Sequence, residues 1–512
     1  RRWLDGSRVN ISRLFSRYSL AAVAVLALGL VWMLRGASPL GMYSTQAKQF
    51  EVERALDDVQ MLASPEFQGR ETGTPGAKLA ADYIAERMKE IGLQPAGEKD
   101  TYIQTFACPW RHLTEVPRLE ILDEQGDVRE NLVYREDFAE YIGPMRSYGE
   151  AEGAVVGLAI GPDPGTSEVS YRLAGLDLEN KVILVQEEQM ERINPSSVAG
   201  VLVVSDEASA VQRKQIFPKD SRWTYGRGRA PAMIISQELA EQLLVTAGSS
   251  LAGLDDLGGD LQPGEVAVTD AGVAVRMEIV ATQTDDPLSE ECYNVIGFIP
   301  GIGAQMASEA GGGLDSQVIM VHAYYDGLGV GPDGTLYPGA NDNASGVAAM
   351  LEMARVLRHG SYQSKKTVVF VAWTGGERGE TLSVRDVMNA KLGFSSLTIE
   401  AVIELSGVGA GDGQGIALGD GSSHRLVQLY KGAAGRIGVS TTTRGRGPHF
   451  GVYVRPESRS ESALPIYVSW DGSDRTAHTE EDSAEAIDPK KLEGVGQTTL
   501  LTLTVLSREV EY

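Results

Sequence analysis

The chain has 512 residues, 42% of them hydrophobic and 23% charged. That composition excludes a disordered chain, and the length points to about three domains. Seventy acidic against 46 basic residues give a net charge of −24, which excludes a nucleic-acid-binding body, and two cysteines exclude a cystine scaffold or a Cys-rich zinc module.

The charge is uneven. Residues 1–17 carry five arginines against Asp5, a local balance of +4, so the remainder sums to −28. Tyr18 to Leu34, YSLAAVAVLALGLVWML, then runs uncharged between Arg17 and Arg35, with Tyr18 and Trp32 near its ends. As a helix this run is about 26 Å long, close to the hydrocarbon thickness of a bilayer. A basic segment before an apolar run also describes a cleaved signal peptide. The run is longer than the usual signal core, however, and Arg35 and Pro39 leave no small-residue cleavage site. The expectation is a cytoplasmic tail at 1–17, a transmembrane helix at 18–34 and an acidic body outside, a type II single-pass topology.

From Phe50 to Gly92 apolar residues recur at helical spacing, as in LAADYIAERMKEIGL, and Gly92–Leu93 gives a stop before the strand TYIQTF and Cys108. Residues 116–285 have another texture. They hold short β-like runs at Ala154–Gly157, Lys181–Val185, Val198–Val204 and Ala232–Ile235, with a Ser/Gly-rich exit expected near Leu251–Gly264. From Asn294 on, the strands NVIGFI, QVIMVHA, TVVFVAW, AVIEL and LPIYVSW alternate with helices such as VAAMLEMARVL. This alternation predicts an α/β fold with a mixed, centrally parallel sheet flanked by helices, and a β-rich domain inserted into it. Cys108 closes the strand before the inserted block and Cys292 opens the strand after it. Antiparallel pairing of those strands would let the sulfurs meet; two separate buried thiols are the alternative.

In open α/β sheets, sites form at the carboxyl ends of strands. Those ends here carry Tyr324-Tyr325-Asp326, the loop GANDNASG, TGGERG, Ser406-Gly407 and, beyond LPIYVSW, THE sequence AHTEED. On GANDNASGVAAMLEMAR, FVAWTGGERG, MLASPEFQGRETGTPG and HTEED the chain resembles the co-catalytic zinc exopeptidases of metallopeptidase family 28. These include bacterial aminopeptidases, glutamate carboxypeptidases and the transferrin receptors. The resemblance covers about 55–110 and 290–512, and implies a zinc-exopeptidase-like domain built from 35–115 and 286–512. The block 116–285 resembles a protease-associated domain.

The resemblance implies a two-zinc site with a glutamate as general base. Carried over position by position, Asp342, Glu377 and His478 are present as ligands. The other metal's two private ligands fall on Tyr324 and Ser406, and the base falls on Gly376. The expectation is therefore at most a single zinc on Asp342, Glu377 and His478, with no catalytic base. His322 and Glu404 lie two residues before Tyr324 and Ser406, on the same strand faces. They read as a buried His–carboxylate hydrogen bond, with a rebuilt metal site as the alternative. Asp326 is expected to serve as a loop hydrogen-bonder, GVGAGDGQG as a flexible rim loop, and TTTRGRGPHF as an exposed basic loop. His112, His359, His424 and His449 have no ligand-like neighbours.

Two functions follow. The first is a membrane-anchored, catalytically inactive homologue that binds another membrane or extracytoplasmic protein. The second is an active, atypical zinc aminopeptidase acting on extracytoplasmic peptides, which needs another base, for instance Glu380 or Glu404. The sequence leaves homodimerisation open.

Overall fold

A computed structural model describes residues 38–509 apart from 109–110, 143–147, 164–172, 174, 194, 196, 208, 217–229, 284–290, 303–316, 380–397, 420–421 and 445–463. The basic tail, the apolar run at 18–34, Glu380 and His449 lie outside the described residues. Among the described residues no helix is long and apolar enough to cross a membrane.

Among the described residues the larger sheet has nine strands. Its main members are β1 (Ile103–Ala107), β2 (Glu291–Ile299), β3 (Gln317–Tyr324), β4 (Thr367–Trp373), β5 (Thr398–Leu405), β6 (Gly415–Gly419), β7 (Ser440–Arg444) and β8 (Leu464–Trp470), with the two-residue Gln94–Pro95 at one edge. The order is 94–95, β2, β4, β3, β5, β8, β6, β7, and β1 also pairs with β2. The central run β4-β3-β5-β8 is parallel, and β2 and β6 join it antiparallel. The central strands are continuous apolar runs because both of their faces are buried.

Helices cover one face: α1 (Pro39–Ala47), α2 (Val52–Leu62), α3 (Pro75–Ile91), α6 (Ser345–His359), α7 (His424–Ile437) and α8 (Pro489–Arg508), with α4 (Gln237–Val245) and α5 (Leu251–Gly259) on the second sheet. The long helical pattern from Phe50 to Gly92 is broken by a 3-10 turn at Pro65–Arg70, where Gln68 and Gly69 take positive φ. Helix α3 starts at a Thr74 cap with Pro75 in the first turn, and stops at Gly92, which has φ 82°. It buries Ala77, Ala80, Ala81, Ile84, Met88 and Ile91 against the sheet.

Among the described residues the second sheet has eight strands between Arg118 and Ile279. Four consecutive members, Gly149–Ile160, Lys181–Gln186, Gly200–Ser205 and Ala232–Ser236, are parallel, and the fourteen-residue return strand Val266–Ile279 pairs antiparallel with Gly149–Ile160. The stretch from Leu251, expected to be a Ser/Gly-rich exit, is instead helix α5. Ser250 caps it by accepting from Gly253 N at 3.0 Å, and Leu254 packs onto Gly157, where an added Cβ would lie 2.7 Å from a Leu254 methyl. The leucines at 251, 254 and 257 supply a helical stripe that the glycines conceal. The basic stretch beginning TTTR is likewise an edge strand, β7, over its described part.

Chain entry and exit of the second sheet are clasped by the pairing of Arg111–Leu113 with Ala281–Gln283 and by a disulfide between Cys108 and Cys292, with Cα atoms 5.8 Å apart. The bridge closes a separation of 184 residues. By chain entropy its loss as Cys108→Ser should lower stability by about 5 kcal/mol. Denaturant titration with and without reductant checks this; coincident curves would show that the bridge does not constrain the unfolded chain.

Candidate metal centre and cleft

The parallel strands β3, β4, β5 and β8 deliver their following loops to one edge of the sheet. A π-helical turn at Ala340–Ala344, containing a cis Asp342–Asn343 peptide, leads into α6 and places Asp342 between them. Glu377 follows β4 and His478 lies in the loop after β8. His478 Nε2 is 3.3 Å from Asp342 Oδ2 and 3.3 Å from Glu377 Oε2. One ligand atom from each of the three lies within 4.8 Å of the others, the only such group among the described residues.

Buried polar atoms fix this cluster. The Asp482 carboxylate accepts from the N–H groups of Asn341 at 2.7 Å and Asp342 at 3.1 Å. Asp326 accepts from Thr72 Oγ1 at 2.9 Å and from the N–H groups of Gly376 at 3.0 Å and Glu377 at 3.2 Å, so it holds the Glu377 turn. Burial pushes both aspartates up to about 7, against those hydrogen bonds. Asn343 ties the strand ends together, donating to Tyr324 O and Leu405 O. For His478, burial alone would lower the pKa, but the Glu377 and Asp342 carboxylates outweigh it and hold the imidazolium well above its usual range. Glu377 Oε1 is buried with no hydrogen-bond partner. A carboxylate oxygen left over beside an Asp–His pair is a donor set that fits a zinc ion.

The neighbouring space is taken by Tyr324. Its hydroxyl donates to Asp342 Oδ1 and lies 3.3 Å from Ser406 Oγ, and its ring meets Trp373 edge-on at 5.9 Å. Burial, then the charges of Asp342 and Glu377, hold its pKa well above the ordinary value of 10, so it remains a neutral donor. A Cβ on Gly376 would lie 2.4 Å from Tyr324 Cγ. The tyrosine therefore fills the path of a side chain at 376.

His322 and Glu404 stand opposite each other in the parallel register of β3 and β5, both buried. The expected hydrogen bond between them is absent: neither His322 nitrogen and neither Glu404 oxygen has a hydrogen-bond partner. Side chains at registered positions project side by side from the sheet rather than toward each other. Burial lowers His322 to about 3 and raises Glu404 to about 8. Glu404 thus favours the folded state while protonated, and that contribution fades as pH rises from its ordinary 4.5 through about 8. Denaturant titrations of Glu404→Gln should overlay wild type near pH 4 and show the variant more stable at pH 9. The reverse ranking at pH 9 would mean that Glu404 is ionised and partnered in the fold.

The glycine run at 407–415 is pinned rather than flexible. Asn341 Oδ1 accepts from Gly409 N at 2.8 Å and Ala410 N at 2.9 Å, and Ser345 Oγ accepts from Val408 N. Sequence reasoning also missed two cations. Arg70, fully buried, donates to the carbonyls of Leu62, Tyr325, Pro338 and Gly339. Lys214, from the second sheet's domain, is buried against Glu71 at 3.0 Å and the carbonyls of Leu328 and Val330, while its N–H donates to His478 O at 3.0 Å. His478 itself has a φ of 66°, and the bond brings the segment that carries the second sheet to the cleft.

Comparison with known proteins agrees with this architecture. The sequence profile of Peptidase family M28 matches residues 304–503. A 201-residue stretch is 27% identical to Aminopeptidase YwaD of Bacillus subtilis (strain 168), covering 35% of this chain and 39% of that protein. A 108-residue stretch is 35% identical to a probable zinc metalloprotease of Pyrenophora teres f. teres (strain 0-1), covering 21% of each. The chain thus matches well under half of the length of either relative. Among solved structures, an aminopeptidase from Aneurinibacillus sp. strain AM-1 has a TM-score of 0.59 at 17% identity, over 91% of this chain and 97% of that one. A peptidase M28 precursor from Shewanella amazonensis SB2B has a TM-score of 0.60 at 14% identity, over 92% and 98%. At these identities the solved structures establish the fold alone.

Proposed function

From a chain that carries a peptidase family M28 domain, we propose a peptidase-fold binding protein whose cleft holds one zinc and does not turn peptides over. The observation that carries this reading is Tyr324, whose ring blocks the space over Gly376 and whose hydroxyl occupies Asp342. Asp342, Glu377 and His478 would hold the zinc, which when bound supplies a Lewis acid. Around it, the chain's own groups position rather than react. Asp326 and Asp482 fix the backbone of Glu377 and Asp342, and Tyr324 donates a proton it does not release. No carboxylate stands at 376 to accept a proton, a role worth about 10²–10⁴-fold in rate.

The body is read as extracytoplasmic, tethered by the apolar run at 18–34, with the second sheet as a protease-associated-like insert. The disulfide supports an oxidising compartment. Its partner is then another membrane or extracytoplasmic protein. The second reading, an active atypical zinc aminopeptidase, is supported by the likeness to Aminopeptidase YwaD.

Elemental analysis of the purified chain decides between them when paired with turnover of aminoacyl nitroanilides. About one zinc per chain, lost in Asp342→Ala, with no chelator-sensitive turnover is the expected result. Chelator-sensitive turnover that Glu377→Ala abolishes would sink the binding reading and establish the aminopeptidase.

A further inference from the structure

We infer that the cavity beside the metal cluster receives a cationic group, an ammonium or guanidinium on an aliphatic stem, which pairs with the carboxylate of Glu404 at its floor. This deepens the reading of the cleft as a binding site and rests on it. The cavity measures about 500 Å³, within the range of small-molecule sites, and runs from Asp342 and His478 to Glu404, Ser406 and Tyr467.

The charges lining it are engaged with one exception. Asp342 takes the Tyr324 hydroxyl and His478. Asp474 takes the Asn341 amide at 2.6 Å and Thr476 at 2.7 Å. Glu207 and Arg213, contributed by the inserted domain, pair at 2.6 Å. Glu404 alone presents two buried oxygens with no partner among the described residues, and the residue is 2% exposed. An unpaired buried carboxyl is costly to the fold, so one left at a cavity wall is a site prepared for a donor that arrives from outside.

The facing groups do not supply that donor. His322 and Tyr467 flank Glu404 in register on β3 and β8, with Tyr324 and Ser406 one pleat on. His322 is fully buried beneath and makes no bond to it, and Tyr324 donates to Asp342. A divalent metal would require three or more convergent ligands, and the described residues gather such a set at Asp342, Glu377 and His478 instead. Beside Glu404 the walls include Ala417 and Gly419, small surfaces that suit a methylene stem, with Trp470 near them. Burial holds the Glu404 carboxyl up at about 8, so capture of a cation at pH 7 ionises it and expels a proton.

Two sources share this chemistry, the side chain of a basic peptide residue and a free diamine. Isothermal titration of the full chain with Nα-acetylated lysinamide and norleucinamide, named below by their parent amides and differing only in the side-chain ammonium, and with 1,5-diaminopentane separates them. Lysinamide should bind at least tenfold tighter than norleucinamide, with proton release at pH 7 seen as a dependence of the heat on buffer ionisation. Glu404→Gln and Glu404→Met should each bring the ratio to within about twofold, and both should melt no lower than wild type at pH 8. Lysinamide tighter than diaminopentane supports a peptide source, and the opposite order supports a diamine. Equal affinity for lysinamide and norleucinamide, or a preference that survives both variants, overturns the cation while leaving the cleft a binding site. If none of the three binds, the cation is overturned, and the zinc content and nitroanilide turnover still decide the binding reading separately.

Discussion

Gly376→Ala should destabilise the fold by about 3 kcal/mol, near the upper end for overpacking, although it adds a single methyl group. The reason is local: that methyl carbon would lie 2.4 Å from Tyr324 Cγ and 2.7 Å from its Cβ, in a ring wholly buried against Trp373 and fastened at its hydroxyl. A rigid, tethered ring cannot swing aside as the end of a flexible side chain would. In Tyr324→Gly, which removes the ring and the Cβ together and costs about 4–6 kcal/mol by itself, the same Gly376→Ala change should become nearly neutral. The cycle should therefore return a coupling of about 2–3 kcal/mol. Additive effects in denaturant titration would mean the two positions are independent.

The same contact dictates how activity could return. Gly376→Glu alone should give no turnover, since the carboxylate has nowhere to stand while Tyr324 is present. The combination Tyr324→His, Gly376→Glu and Ser406→Asp replaces the tethered phenol by a smaller imidazole free to take another rotamer, and supplies the missing groups together. It should raise the zinc content toward two per chain and the nitroanilide turnover at least a hundredfold over background, in line with what a positioned base contributes. Turnover from Gly376→Glu alone would show that the tyrosine is not the obstacle.

The candidate site positions were legible because they follow apolar strands that are continuous in the sequence. QVIMVHA, TVVFVAW and AVIEL locate the ends at which Tyr324, Glu377 and Ser406 stand, and the structure brings Asp342, Glu377 and His478 to one point. What was not legible depends on contacts without local signal. Tyr324 and Gly376 lie far apart in the chain, so a glycine at the base position reads as a simple loss until the ring is seen in its place. Helix α5 was hidden by its glycines, because its Ser250 cap and leucine spacing are weak beside a Gly-rich composition. The run at 407–415 looked mobile for the same reason, whereas Asn341 and Ser345 fasten its backbone. His322 and Glu404 were placed on one face by strand alternation, but alternation says nothing of whether two side chains meet. Lys214 sits in a polar stretch of the inserted domain, where a solvated lysine is the ordinary expectation.

Arg70 is the instructive case, and its loss should rank among the largest single effects in the protein. Its guanidinium spans three segments: Nη1 donates to Leu62 O at 2.6 Å and Pro338 O at 2.7 Å, Nη2 to Gly339 O at 2.7 Å, and Nε to Tyr325 O at 2.8 Å. These carbonyls flank the entry to α3's preceding turn, the end of β3 and the loop that presents Asp342. Burial lowers its pKa to about 10, and the carboxylates of Asp482, Asp326, Glu377 and Asp342 oppose that fall, so it stays charged at neutral pH. Arg70→Met would strip the guanidinium's donors from four carbonyls, of which Gly339 O keeps Ala344 N, and leave an acidic cluster without its central cation, a loss of about 3–5 kcal/mol. Arg70→Lys separates the two contributions. If charge were what matters, lysine would recover most of the stability. If the planar fork matters, a single ammonium cannot reach four carbonyls in three directions, and lysine should fall close to methionine. The second outcome is expected, together with faster amide exchange across residues 339–344 and weaker zinc retention in both variants. Wild-type stability in Arg70→Met would mean that the loops around Asp342 hold their shape through Asp482 and Asn343 alone.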